Sequence, residues 1–596
     1  MNRYSNGRLI LLGMLALVAL GYLFLVLNLV FRELMAPPPQ LLTDPFLQLP
    51  TPDSVNVVWF TEFPGTRHFV RYGEDLSQSV EADTRRLSRA REDQNSRVGE
   101  QTEEGQVYAQ PVDRLVWRHE ATVPNLSPAE RLPYQVASIE DSGRVVRSET
   151  FSLAPQPPPG TPLQILLTSD HQSMPLTPTN LQKVEETVGQ VDAVFLAGDL
   201  VNIPDRASEW FDDNRGRAFF PSLQGRANAE VEYDGTTTIY RGGQIIQSAP
   251  LFAATGNHEV MGRFSTEASL GEQFNDPIPR AVAIERYERQ ASEINPDDDQ
   301  AVKDAWIEDN SFNADTYHEL FSMPTDSAVS PDYYAVTFGD VRLVVLYATN
   351  IWRSPNLNAN TRGRYRERDA DLNDPMKWGY GQHIFEAIAP GSPQFEWLRA
   401  EVQSPAFQQA KYQVVMFHHP PHSLGDNIVP AYTDPVQLID YFPDGQIKAV
   451  RYEYPKEADY LMRDVVPLLE EAGVDLVFFG HSHVWNRFVS PAGMHFLESS
   501  NVGNTYGAYL RDERRAIPIG YQEEYVPLGD PNGLEPVVPT LEPLLDEDGQ
   551  PIPYIANSDI TAFSILDTAT GTVSSYRFDI REPEAGVIKF DEFSLN

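Results

Sequence analysis

Six short apolar runs, at residues 163–167, 193–197, 250–254, 341–347, 413–417 and 475–479, recur through the middle of the chain. Runs of this length without polar alternation are typical of β-strands covered on both faces. Between them, stretches such as 181–188 and 460–472 carry helical periodicity. Strands and helices in alternation restrict this region to a layered α/β domain. In such sheets ligands gather beyond the carboxyl ends of the strands, so the residues just after each run are the ones to read for chemistry.

Those residues are Ser169-Asp170-His171-Gln172, Gly198-Asp199-Leu200-Val201-Asn202, Gly256-Asn257-His258-Glu259, His418-His419-Pro420 and Gly480-His481-Ser482-His483. Each alone has a bland explanation as a turn, a loop or a core histidine. Together they offer carboxylates, an asparagine oxygen and several imidazoles, the donor set for two divalent ions about 3.5–4 Å apart. The chain has 0 Cys. Disulfides, thiolate zinc sites and iron–sulfur clusters are therefore excluded, and any metal must be held by nitrogen and oxygen donors.

The order and separation of these motifs follow the pattern D-x-[HQ], G-D, G-N-H-[DE], H and G-H-x-H over roughly residues 163–500. In this the chain resembles the calcineurin-like metallophosphoesterase superfamily. Within it, the chain is similar to the purple acid phosphatase-like branch, in which a fibronectin type III-like domain precedes the catalytic one. The resemblance implies a layered β-sandwich core of the α/β/β/α type. It also implies hydrolysis of phosphate mono- or diesters, from a phosphorylated small molecule or nucleotide, by attack of a metal-activated hydroxide.

Carried over residue by residue, Asp170, Gln172 and His483 would hold the first ion, and Asn257, His418 and His481 the second. Asp199 would bridge both, and His258 would face the substrate as proton donor or phosphate contact. The ions would be Mn, Zn or Fe. Gln172 stands where many members have a histidine, with His171 beside it as the alternative ligand. Asn202 stands where purple acid phosphatases place an iron-binding tyrosine, which argues against a ferric–tyrosinate centre. His419 and His422 are expected behind the ligands or in loops. A rival reading, from a different class, is a surface-interaction protein whose metal site is structural or degenerate; Gln172 motivates it.

Before the α/β region, the Pro-rich segments 36–40 and 155–160 bracket residues 40–154. Short branched and aromatic runs at 54–60, 69–72 and 133–136 predict an all-β fibronectin/Ig-like sandwich there. The mixed-charge segment 85–110 reads as a loop insertion or as partly disordered, and without a role. The expected division is a cytoplasmic tip and transmembrane anchor at 1–35, the sandwich at 40–154, a linker at 155–162 and the catalytic domain at 163–596.

Residues 9–31 contain no charge and, as a helix at 1.5 Å per residue, would cover about 35 Å, enough for a hydrocarbon core of about 30 Å. Arg3 and Arg8 precede them, whereas Arg32 is followed at once by Glu33, which predicts a signal-anchor with the rest of the chain periplasmic or extracellular. A processing site at Leu34-Met35-Ala36 is the alternative. The formal charge of −39 argues against general nucleic-acid binding. Between the motifs, Arg206, Arg215, Arg217, Tyr317, Arg353 and Arg362 are candidate contacts for a phosphate or leaving group, although an arginine at a surface is more often only surface.

Overall fold

In the strand Gln164–Thr168, Ile165 and Leu167 face one core while Leu166 faces another, the period of two expected of a strand buried on both sides. Ala193–Leu196 repeats the pattern, with Phe195 on the first side and Val194 and Leu196 on the second. The computed structural model describes residues 40–99, 101, 107–128, 130–324, 330–425, 427, 431–510, 514–515 and 526–595.

Two sheets stack face to face. The first runs in the order Leu251–Ala253, Ala193–Leu196, Gln164–Thr168, Ile560–Asp567, Thr572–Asp579, Ile588–Ser594; its first three strands are parallel. The second runs Tyr334–Phe338, Val341–Val345, Tyr412–Met416, Leu476–Phe479, His495–Ser499, Trp485–Val489, Tyr554–Ile555. Their facing side chains, among them Phe195, Leu343, Met416, Phe478 and Leu566, form one buried core. The outer face of the second sheet is covered by the helices Pro393–Glu401 and Val466–Ala472. On the first sheet lies the helix Thr177–Val188, which starts with Pro178 in its first turn and buries Leu181 and Val184. This is the expected α/β/β/α layering.

The sequence reading places no strand in the last forty residues. In fact Ile560–Asp567 pairs antiparallel with Gln164–Thr168, with Gln164 opposite Asp567, and so closes the first sheet from the far end of the chain.

Residues 46–153 form a two-stranded ladder, Arg91–Glu92 with Val112–Asp113, and two larger sheets. One has the order Phe46–Thr51, Ser54–Thr61, Trp117–Val123, Asp83–Arg86; the other contains Val145–Arg147, Leu132–Ile139, Arg67–Tyr72 and Gln78–Glu81, with Phe151–Leu153 also on Leu132–Ile139. Val57, Trp59, Val70, Tyr134 and Val136 fill the space between them. The other face of the first of these sheets is not a free surface. Phe46, Val58 and Phe60 pack into the same cluster as Leu166, Val194 and Leu196. Hydrogen bonds also cross to the catalytic half: Leu47 N donates to Ile246 O at 3.1 Å, and from the other sheet the Tyr134 hydroxyl donates to Gln247 O at 2.6 Å.

The described part of segment 85–110 differs from its expectation as an insertion without a role. Arg85 and Arg86 belong to an edge strand, and Arg91, Glu92 and Asp93 are buried. Arg91 pairs with Asp205 at 2.6 Å, and Asp93 receives both Arg206 and the amide of Leu270. Charges that read as a solvated loop are paired with partners more than a hundred residues away. The transmembrane anchor expected at 9–31 lies outside the described residues, and among the described residues no helix is long and apolar enough to cross a membrane.

Candidate metal centre and substrate cavity

Each motif sits in a tight turn at the end of a strand. Asp170, Asp199, His481 and His483 have φ of 57°, 57°, 79° and 55°, a left-handed conformation that costs a non-glycine residue on the order of 1 kcal/mol. The turns reverse the chain so that side chains from both sheets point at one place. Gly198, at φ 96°, allows the close approach: a Cβ there would lie 2.8 Å from Gly256 Cα and from His418 Nδ1.

Two groups of ligand atoms result, each lying within 4.8 Å of one another: Asp199, His418 and His481, and Asp170, Asp199 and His483. Asp199 is common to both. In the first, His418 Nε2 lies 3.2 Å from Asp199 Oδ2 and 3.1 Å from both Asn257 Oδ1 and His481 Nδ1. In the second, His483 Nε2 lies 3.3 Å from Asp170 Oδ1. His418 and His483 each direct Nδ1 to a main-chain carbonyl, of Ala197 at 2.8 Å and Asn504 at 2.6 Å, which aims Nε2 into the site.

Gln172 Nε2 donates to Asp199 Oδ2 at 2.9 Å, and its Oε1 is buried without a partner. His171 turns away: its Nε2 meets Thr168 Oγ1 at 3.0 Å, and burial holds its pKa down to about 3. His419 also stays outside the two groups, packed on Tyr432 and His481, and His422 pairs with Asp530 at 2.8 Å.

The electrostatics favour positive charge. Burial pushes the Asp199 carboxyl up, but His418 and His258 outweigh it and hold the pKa below the usual carboxylate range. Burial likewise opposes charge on His418, yet Asp199 pushes it up to about 10. His481 stays neutral through burial and the neighbouring His418, and its Nε2 is buried without a partner. Convergent lone pairs, a shared carboxylate and unpartnered Gln172 and His481 atoms fit a pair of cations.

Two buried glutamates hold the turns. Glu259 accepts the amides of Asp199, Leu200 and Gly256, each at 2.8 Å; burial and Asp199 together raise its pKa to about 8. Glu498 accepts Ser482 N at 2.8 Å and Ser423 Oγ at 3.0 Å, joining the loops that carry His418 and His481. Sequence reasoning quoted Glu259 only as part of its motif and missed Glu498, which lies in the strand His495–Ser499 directly after Phe496 and Leu497.

Over the centre opens a cavity of about 400 Å³. His258 lines it and is partly exposed; its Nδ1 meets Asn202 O at 2.7 Å and its ring stacks on Phe274 at 5.0 Å. Asn202, in the place of the expected tyrosine, thus orients His258, and its Nδ2 donates to Gln172 O at 2.5 Å. None of the six candidate contacts lines the cavity. Arg206 binds Asp93 and Glu209, Arg215 binds Asp213, Arg362 binds Asp276, Arg353 donates to Asn275 O, and Tyr317 Oη to Ala253 O. The arginines that do line it are Arg364, Arg514 and Arg515.

The family model for calcineurin-like phosphoesterases matches residues 163–485, more than half of the chain and the segment that carries all five motifs. The chain belongs to that family. It is a metal-dependent phosphoesterase, and the family implies a dinuclear divalent metal centre, for which the two ligand groups are candidates. Solved structures similar to this phosphoesterase include the purple acid phosphatase PPD1 from yellow lupin (Lupinus luteus) seeds, at 14% identity and TM-score 0.49, covering 92% of this chain and 73% of that one. They include PhoD, at 11% identity and TM-score 0.39 with 94% of each chain covered. A dimetal phosphatase from Danio rerio is similar at 12% identity and TM-score 0.32, over 73% of this chain and 99% of that one. A comparison with curated proteins returns no match.

Proposed function

We propose that this phosphoesterase is anchored in a membrane through residues 9–31, with residues 40–154 and 163–596 outside the cytoplasm, periplasmic or extracellular. There it hydrolyses phosphate mono- or diesters of phosphorylated small molecules or nucleotides. The carrying observation is the sharing of Asp199 between two groups of buried ligand atoms below an open cavity. Asp170, Gln172, Asp199 and His483 hold one ion, and Asp199, Asn257, His418 and His481 hold the other; nitrogen and oxygen donors suit Mn, Zn or Fe. Bound there, two divalent ions would lower the pKa of water toward neutrality and offset the charge of the phosphoryl oxygens.

The chain's own residues do the rest. Asp170 accepts the amide of His481 at 3.1 Å, which ties the loop that carries His481 to the end of the Gln164–Thr168 strand. His258, with Nδ1 on Asn202 O, presents Nε2 to the cavity, and in the charged ring that is the proton the leaving oxygen takes. The net charge of −39 does not oppose an anionic substrate, because surface acids are screened over about 8–10 Å at ordinary salt.

Two measurements test the reading. The full chain, purified in detergent with Mn²⁺, should hydrolyse nitrophenyl phosphate or its bis-ester, and no turnover with any divalent ion would contradict it. A reporter fused after Asn596 should be active only outside the cytoplasm; activity confined to the cytoplasm would overturn the topology.

A further inference from the structure

The wall of the cavity beside His258 is aromatic and apolar. Phe274 stacks over a face of the His258 ring at 5.0 Å with 30° between planes. Trp352, 43% exposed, Ile351 and Phe385 line the same cavity, as does Tyr506, whose ring lies 5.0 Å from that of His483. An exposed tryptophan at the mouth of a cavity is apolar surface held in water, and covering it releases that cost.

The position of Phe274 is built into the fold. Its short helix, Leu270–Phe274, is closed by Ser269 and Glu272 in a capping box and is tied at Leu270 N to buried Asp93 at 2.8 Å. Arg364, Arg514 and Arg515 also line the cavity and keep their positive charge there. The guanidinium of Arg515 is committed to the carbonyls of Ser423, Gly425 and Gly529, and Arg364 Nε donates to Gln382 Oε1.

We infer that the leaving group of the substrate is apolar, an alkyl or aryl alcohol lying against Phe274 and Trp352. This rests on the reading of His258 as the proton donor, because that role places the leaving oxygen beside Phe274. Phosphate would then sit over the ligand groups while the alcohol occupies the aromatic half of the cavity. Water released from the wall contributes to the transition state as well as to binding, since the alcohol stays against it while the P–O bond breaks.

A homologous series isolates this contribution, because chain length changes apolar area while leaving-group acidity stays nearly constant. Monoalkyl phosphates and symmetric dialkyl phosphates from ethyl to hexyl are assayed with the full-length Mn²⁺ enzyme. For the class that is turned over, kcat/KM is expected to rise about threefold per methylene over the first additions. Trp352→Ala should flatten that slope to less than about half its value on a logarithmic scale, with metal content unchanged. A flat or falling series, or a slope untouched in Trp352→Ala and Phe274→Ala alike, overturns the inference while leaving the phosphoesterase reading standing. No hydrolysis of any ester, nitrophenyl phosphate included, overturns the reading and the inference together.

Discussion

The main-chain amide of His258 donates to Oδ1 of Asp199 at 2.9 Å, while Oδ2 of the same carboxylate lies 3.2 Å from His418 Nε2. One carboxylate therefore joins the ligand groups and also seats the residue that faces the cavity. The two functions are nevertheless separable, because the His258 ring hangs from Asn202 O and takes no part in either ligand group.

His258→Ala is therefore expected to lower kcat by about 10²–10⁴-fold, the usual worth of general-acid help. Metal content, read by elemental analysis of the same sample, should stay at the wild-type level. Equal loss of activity and metal would show that His258 is a ligand.

Glu498 should matter to the metal without touching it. Its carboxylate accepts from Ser482 N, Ser500 Oγ, Ser423 Oγ and Asn486 Nδ2, all at 2.8–3.0 Å and all buried. Glu498→Ala leaves those donors without their acceptor, at a cost of about 1–3 kcal/mol. By loosening the loops of His418 and His481 it should weaken metal affinity about 10–100-fold, as removal of an outer partner does elsewhere. A chelator titration measures this, and an unchanged midpoint would place the role of Glu498 in stability alone.

The N-terminal sandwich carries an acid-sensitive pair. His68 and His119 stack at 3.6 Å, with Arg118 next in sequence. Burial, with His68 and Arg118 adding, lowers the His119 pKa to about 2, and burial lowers that of His68 as well. The neutral rings are the ones the fold accepts. Above the unfolded value of about 6.5 neither state gains protons, so stability is full; as pH falls below it the unfolded chain protonates first and stability declines. Between pH 7.5 and pH 5, denaturant unfolding should lose about 2 kcal/mol through His119, a slope near 1.4 kcal/mol per pH unit. His119→Gln should flatten that part of the profile, and an equal slope in the variant would refute the assignment.

Much of the catalytic half was legible because both faces of its strands are buried. Uninterrupted runs such as 193–197 announce such strands, and the polar residues after them have no reason to follow except chemistry. The missed features all depend on partners distant in sequence. Arg206 reads as a free cation until Asp93 is seen beside it, and segment 85–110 reads as solvated until Arg91 meets Asp205. Phe46, Val58 and Phe60 are apolar in either case, and nothing local tells whether they face the sandwich interior or the catalytic sheet. The antiparallel strand Ile560–Asp567 lies almost four hundred residues from its neighbour Gln164–Thr168, beyond the reach of any local pattern.

The sharing of Asp199 is the central claim, and metal stoichiometry of wild type against Asp199→Asn tests it most directly. Wild type loaded with Mn²⁺ and freed of excess ion should retain about two equivalents per chain. Asp199→Asn should retain less than about one, with hydrolysis lost in the same preparation, because the charge common to both groups is gone. A variant that folds, keeps both ions and has lost only its activity would contradict the account.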